Sequence, residues 1–386
     1  VKVSRLASSI PPFIVMDVLE RAQALEAQGA DVVHLEVGEP DFDTPRAVVE
    51  RANEALAEGM THYTHSLGRV SLREAIAVHH ERRYGVPVDP GRVIVTSGSS
   101  PALLLVFLAV CDPGDEVVVT DPGYACYPNL LACAGAVPVR VPIREEDGFQ
   151  VSVEAVQARI GPRTRAILLN SPANPTGAVL DPGRMAAVAD LGVLVISDQI
   201  YHGLEYGVRS HSILEFTSHA VVVDGFSKRF AMTGWRLGYA IVPEWLVRPV
   251  QKLQQNYFIS AGDFVQVCAE VALTRCEADV EAMREAYDRR RRLVVQRVRE
   301  MGLGLPVEPR GAFYVFCNVS SVCERTGMNV YELCFDILER AHVAVTPGTD
   351  FGPGGEGYVR ISYATALDRI QVGLDRLARY LEEVGR

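Results

Sequence analysis

The sequence predicts an α/β fold: a large domain with a mostly parallel seven-stranded sheet between helices, plus a smaller α+β domain. Three observations predict it. Seven short apolar runs recur between residues 93 and 242, separated by helix-like stretches. The runs are continuous in Val, Ile and Leu rather than alternating, as in strands buried on both faces. Toward the C-terminus the pattern changes to long helices interleaved with single strands.

The strands are expected at 93–96, 116–120, 137–141, 166–169, 193–197, 220–224 and 239–242. Between them, Ser152 and Asp181-Pro182 are helix starts, from a side-chain acceptor and a fixed φ. At the N-terminal end, residues 13–29 read as an amphipathic helix stopped by Gly29. Residues 278–301 read as a long, charge-rich helix, and the four arginines at 289–292 as its solvated face. Then come a strand at 313–317, a helix at 330–341, strands at 343–346 and 358–363, and a final helix at 367–383. A chain of 386 residues exceeds one ordinary core. The expected division is a large domain over 43–285 and a small domain formed by 1–42 and 286–386.

Composition excludes several function classes. Hydrophobic residues make up 48% and charged residues 22%, an ordinary globular balance. The net charge of −10 argues against a nucleic-acid surface, so any phosphate site must be a local basic pocket. No run of about 18 apolar residues predicts a membrane span. The N-terminal residues lack the sustained apolar stretch of a signal peptide. The eight cysteines are scattered without a Cys-x-x-Cys pair, which points to thiols in a reducing compartment and not to zinc or disulfides. A cytoplasmic protein without a metal site is expected.

The chemistry sits at strand ends. Asp121, Asn170, Asp198 and Ser227 lie at or just beyond apolar runs, with Lys228 beside Ser227. In an open α/β sheet those ends face the binding crevice. A lysine at one strand end, an aspartate at another, and Ser227 and Arg236 around the lysine are the parts that hold a pyridine ring bearing an aldehyde and a phosphate. That cofactor is pyridoxal 5′-phosphate (PLP). Lys228 would form an imine with the aldehyde, which needs an unprotonated amine. Asp198, with Tyr201 one turn on, would stabilise a protonated ring nitrogen. The run 93–102 reads as strand, glycine turn and helix, with Ser100 as cap and Pro101 at the first helical position. Its free N–H groups would form an anion site.

With these motifs in order, the chain resembles the fold-type I, class I/II PLP-dependent aminotransferases. The likeness runs from Val37-Gly38-Glu39-Pro40-Asp41-Phe42 to Tyr358-Val359-Arg360-Ile361-Ser362. Its most specific parts are Asn174-Pro175-Thr176-Gly177, Ser197-Asp198-Gln199-Ile200-Tyr201, and Ser227-Lys228 followed by Gly234-Trp235-Arg236-Leu237-Gly238-Tyr239. The resemblance implies a role at each matching position. Lys228 would hold the cofactor and shuttle the proton at Cα, and Asp198 would pair with the ring nitrogen. Tyr201 and Asn174 would hydrogen-bond the phenolic oxygen, and Tyr124 would stack on the ring. Ser99, Ser100, Ser227 and Arg236 would hold the phosphate. Arg360 would grip the substrate α-carboxylate, which Gly38 approaches through its backbone. Tyr63 would reach the phosphate of a neighbouring subunit, so the resemblance implies a homodimer with shared active sites.

Two positions depart from the family pattern. Gln199 stands where relatives usually carry glutamate, a change expected to act only behind Asp198. Ser100 occupies the loop position where an aspartate-using branch carries lysine, which weakens the case for aspartate as substrate. The leading expectation is a transaminase moving the amino group of an L-amino acid to a 2-oxo acid, 2-oxoglutarate in the first instance, with ping-pong kinetics. A C–S β-lyase or cyclising lyase shares the first chemical steps. A ligand sensor of the same fold would carry a DNA-binding module ahead of the PLP domain; motifs that begin by residue 38, in an acidic chain, speak against it.

Overall fold

The computed structural model describes residues 2–384. A two-residue strand, Val33–His34 (β1), precedes the main sheet. The sheet contains Val93–Thr96 (β2), Glu116–Asp121 (β3), Val137–Pro142 (β4), Thr164–Asn170 (β5), Leu194–Asp198 (β6), Ala220–Gly225 (β7) and Gly238–Ile241 (β8). Each coincides, within two residues at either end, with an apolar run of the sequence. The order across the sheet is β2-β8-β7-β6-β5-β3-β4. Neighbours are parallel except around β8, which runs antiparallel to both β2 and β7.

Continuous apolar runs arise because the sheet is buried on both faces. Val95, Val118, Ile167, Val195 and Val222 join one cluster, and Ile94, Val117, Leu168, Ile196 and Val221 the other. Successive side chains point to opposite faces. Each fully buried one contributes about 1.5–3 kcal/mol, so a polar residue on either face would be costly.

Asp121, Asn170, Asp198 and Gly225 are the last residues of β3, β5, β6 and β7. They therefore line up along the carboxyl edge. The antiparallel β8 places the rest. Gly238, its first residue, pairs with Thr96 of β2 and Gly225 of β7. The loop from Ser227 to Arg236 thus leaves the carboxyl edge and returns to it.

The smaller unit joins the two chain ends. Tyr314–Asn318 (β9), Thr346–Pro347 (β11) and Tyr358–Ser362 (β12) form an antiparallel sheet of order β11-β12-β9, and Val343–Ala344 (β10) pairs parallel with β1. The single strand expected at 343–346 is split, because the chain changes partner at Val345. The Ile14–Glu26 helix buries Val18, Ala22 and Leu25 against Leu338 and Ala344. The Glu277–Glu300 helix runs unbroken across residue 285, with Val280 in the large core and Tyr287, Val294 and Val298 in the small one.

Its arginine block is only half solvated. Arg290 and Arg291 are buried, against expectation. Arg290 pairs with both oxygens of Asp41 at 2.6 and 2.9 Å, and Arg291 with Asp288 at 2.7 Å and with Glu308. A helix turn of 3.6 residues cannot put four consecutive side chains on one face, so two of them turn inward and take partners. Among the described residues, no helix is long and apolar enough to cross a membrane.

Candidate active site

A cavity of about 390 Å³ opens at the carboxyl edge of the sheet, against the smaller unit. Every site residue expected from the sequence lines it except Tyr63. They arrive from separate segments: Gly38 from the N-terminal part, Ser99 and Ser100 after β2, and Tyr124 after β3. Asn174 follows β5, Asp198 and Tyr201 come from β6 and the turn after it, Ser227, Lys228 and Arg236 from the β7–β8 loop, and Arg360 from β12.

The helix after β2 begins earlier than expected. It spans Ser99–Val110 with Gly98 as cap, so Ser100 and Pro101 fall inside the first turn. The cause is the chain's exit from β2, which needs φ +111° at Gly98, a conformation glycine adopts without strain. The amides of Ser99 and Ser100 consequently belong to a first turn that has no intrahelical acceptor. Arg236 packs on Gly98: a Cβ there would lie 2.7 Å from Arg236 Nη2. Arg236 itself has φ +53° and donates Nη1 to the Thr233 carbonyl at 3.0 Å. Ser227 is buried in the same wall.

Lys228 Nζ donates to the Gly38 carbonyl at 2.6 Å. Burial lowers its pKa from 10.5 to about 8; Arg360 and Arg236 lower it too, against the opposing pull of Glu39 and Asp198. Asp198 is 4% exposed. Its Oδ2 accepts from the Tyr127 hydroxyl at 2.8 Å and its Oδ1 from the Ile200 amide at 3.1 Å. Burial raises it to about 6, while those two bonds and Lys228 restrain the rise. Behind it, Gln199 Nε2 donates to Ser197 at 3.2 Å and Ser212 at 3.3 Å, and Gln199 does not line the cavity.

Arg360, 2% exposed, donates Nη1 to Asn174 Oδ1 at 2.9 Å and Nη2 to the Glu36 carbonyl and to Thr346 Oγ1. Its Nε is buried without a partner. The guanidinium lies 4.4 Å from the ring centre of Tyr314 and 4.8 Å from that of Phe351. Asn174 is fixed in turn by its amide, which donates to Asn170 Oδ1 at 2.9 Å. The Tyr201 hydroxyl shares a 2.7 Å hydrogen bond with that of Tyr314. Tyr124 meets Tyr127 edge-on at 5.2 Å. Tyr63 is 81% exposed and stands apart from the cavity.

Asn170, expected at the crevice from its strand end, does line it; two further contributors, Tyr127 and Tyr314, were not expected. Tyr127 carried a weak signal, since it follows Tyr124 by only three residues and stands at the start of the helix Cys126–Cys133 just after it. Tyr314 carried none, because a tyrosine in an apolar strand reads as core.

The residues fit PLP. The glycine cradle at Gly98, two free helix amides, three hydroxyls and a guanidinium are donors without bulk, suited to a phosphate. Across the cavity a buried carboxylate suits a cationic ring nitrogen, and a buried amine of lowered pKa suits an aldehyde. Beyond them the free Nε of Arg360 suits a carboxylate.

Residues 30–377 match the family model "Aminotransferase class I and II". The chain is 39% identical to a (5-formylfuran-3-yl)methyl phosphate transaminase of Methanocaldococcus jannaschii, over 96% of this chain and 97% of that one. It is 38% identical to aromatic-amino-acid aminotransferase 2 of Thermococcus litoralis, over 97% of each. Its structure is similar to that of an aspartate aminotransferase from Thermus thermophilus with maleate, at TM-score 0.93 and 40% identity, covering 98% of this chain and 99% of that one. Fold, cavity and likeness agree over nearly the whole chain, which belongs to the class I and II aminotransferases and is a PLP-dependent enzyme of fold type I.

Proposed function

We propose that this aminotransferase takes the amino group of an L-amino acid with an uncharged side chain and passes it to a 2-oxo acid in a ping-pong cycle. The observation that carries this reading is the convergence on one cavity of Asp198 from the end of β6, Lys228 from the β7–β8 loop and Arg360 from the middle of β12. The relatives at similar identity carry names with different substrates, so the side-chain preference has to come from the cavity itself. Lys228, Arg236 and Arg360 are its only cations among the described residues, and each already has a role. Glu39 lines it too and would repel a second carboxylate, whereas Phe13, Val15, Met16 and Val37 offer apolar wall. The acceptor is 2-oxoglutarate in this reading; with no further cation from this chain for its distal carboxylate, its KM is expected to be high.

When bound, PLP supplies a carbon that bonds to amines and a ring that draws in the electron pair left at Cα. The remaining work falls to side chains. Arg360 grips the α-carboxylate through Nε and an Nη, and so orients the Cα–H bond. Lys228 Nζ, its pKa lowered to about 8 and so with roughly one amine in ten unprotonated at pH 7 and more above it, would be the group that takes the proton from Cα of the substrate. Asp198, ionised above about pH 6, keeps the ring nitrogen protonated. Tyr201 and Asn174 would hydrogen-bond the phenolic oxygen, and Tyr124 would cover the ring face. Ser99, Ser100, Ser227 and Arg236 would hold the phosphate, and Gly38 would approach the carboxylate through its backbone.

The assembly in this reading is a homodimer. Tyr63, exposed and outside its own cavity, would reach the phosphate held by a second copy. Initial rates with both substrates varied test the cycle: parallel double-reciprocal lines are expected, and intersecting lines would contradict it.

A further inference from the structure

We propose that Tyr314 is a positioning residue that fixes the direction in which the Tyr201 hydroxyl donates, and so strengthens its bond to the phenolic oxygen of the cofactor. The inference rests on the PLP reading of this cavity and goes beyond it by adding a residue that touches neither the phosphate nor the carboxylate in that reading.

The geometry is a buried pair of phenols. Tyr201 and Tyr314 are 4% and 1% exposed, and their hydroxyls are 2.7 Å apart. Both rings line the cavity. Each hydroxyl can donate one hydrogen. Within the pair only one hydrogen is used, so one remains for a third acceptor. If Tyr201 donates to Tyr314, nothing is left for the cavity at Tyr201. If Tyr314 donates, the Tyr201 hydrogen is free to point inward, and its oxygen is polarised by the bond it accepts. An electron-rich oxygen beside Tyr201 selects the second order, because hydrogen bonds in a chain reinforce one another.

Tyr314 is held for this task from two further sides. Its ring lies 4.4 Å from the guanidinium of Arg360. Its hydroxyl fills the side-chain space of Gly38, where any Cβ would overlap it. Burial pushes both phenols up, so both stay protonated through the working range. Arg360 pulls each the other way, and Tyr124 is the other titratable group acting on Tyr201.

A hydrogen bond to the phenolic oxygen favours the form in which that oxygen carries full negative charge, and so lowers the pH midpoint of the visible band of the Lys228-bound cofactor. Removing the Tyr314 hydroxyl should raise the midpoint. The test is a spectrophotometric titration of holoenzyme in four forms: unaltered, Tyr314→Phe, Tyr201→Phe and the double variant. Expected is a rise of about 0.5–1 pH unit in Tyr314→Phe, the worth of one hydrogen bond. Tyr201→Phe should rise further, and the double variant should match Tyr201→Phe, because Tyr314 acts only through Tyr201. Tyr314→Met gives the same reading with a second apolar side chain should the phenylalanine variant fold poorly. An unchanged midpoint in folded Tyr314→Phe or Tyr314→Met, or an equal further shift on the Tyr201→Phe background, overturns the inference. Absence of a Lys228-dependent band in the unaltered protein would instead overturn the PLP reading itself.

Discussion

Lys228 Nζ donates to the carbonyl oxygen of Gly38 at 2.6 Å, joining the end of β7 to the N-terminal segment. The amine is thus held in the cavity before it meets an aldehyde, with its charge weakened by burial. Formation of an imine must break this bond and needs the proton gone.

The rate at which cofactor-free protein recaptures PLP should therefore rise with pH through a midpoint near 8. The sign follows from the nucleophile: only the unprotonated amine attacks, and burial lowers the pKa from 10.5 to about 8. A stopped-flow series from pH 6.5 to 10 reads it. A midpoint near the ordinary lysine value would mean the amine is not desolvated. Lys228→Ala should lose the visible band and at least ~10³-fold in turnover.

Arg360→Lys should raise the KM for the amino acid by about 10–100-fold and also lower kcat. Lysine keeps the charge but cannot bond Asn174, Glu36 and Thr346 while leaving a donor for the substrate. Asn174→Ala should move KM in the same direction by less. Steady-state kinetics with one amino acid separate the two parameters, and an unchanged KM in Arg360→Lys would remove Arg360 from the carboxylate.

Tyr127→Phe should lower kcat most at the acid end of the profile. The Tyr127 hydroxyl helps keep Asp198 ionised at a position where burial already lifts it to about 6. Losing that bond lifts it further, so less carboxylate is ionised near neutrality and the acid limb moves to higher pH. A kcat profile from pH 5.5 to 9 reports the shift, and coincident profiles would show that the hydrogen bond does not bear on the ring nitrogen.

Gly98→Ala should weaken PLP affinity by about tenfold or more without removing a single donor. The methyl group must displace Arg236 Nη2 and adopt φ +111°. Equilibrium dialysis measures the loss. Wild-type affinity in this variant would show that Arg236 does not need its seat on Gly98.

The main sheet was legible because most of its strands are buried on both faces and leave nearly uninterrupted apolar runs; the edge strand β4, with Pro138 and Arg140, is the exception. Asp198 and Lys228 were legible for a related reason: strand ends of a parallel sheet share one edge, so position along the chain becomes position in space. The helix cap at Gly98 was misplaced because Ser100-Pro101 is a good local start, and the sharp turn out of β2 overrides it. Arg290 and Arg291 were read as solvated because their partners, Asp41 and Glu308, are distant in sequence or lie beyond the helix. Tyr314 stayed hidden since its meaning depends on facing Tyr201, which is 113 residues away in the chain.

The most direct test of the transaminase reading is a panel of L-amino acids mixed singly with holoenzyme, without any oxo acid, and scored by conversion of the PLP spectrum to the pyridoxamine form. Amino acids with uncharged apolar or aromatic side chains should convert it fastest and aspartate slowly, each conversion should release the matching 2-oxo acid, and 2-oxoglutarate should restore the original spectrum. A spectrum that no amino acid converts, with pyruvate and ammonia released from cystathionine in the absence of an acceptor, would contradict transamination and favour a lyase.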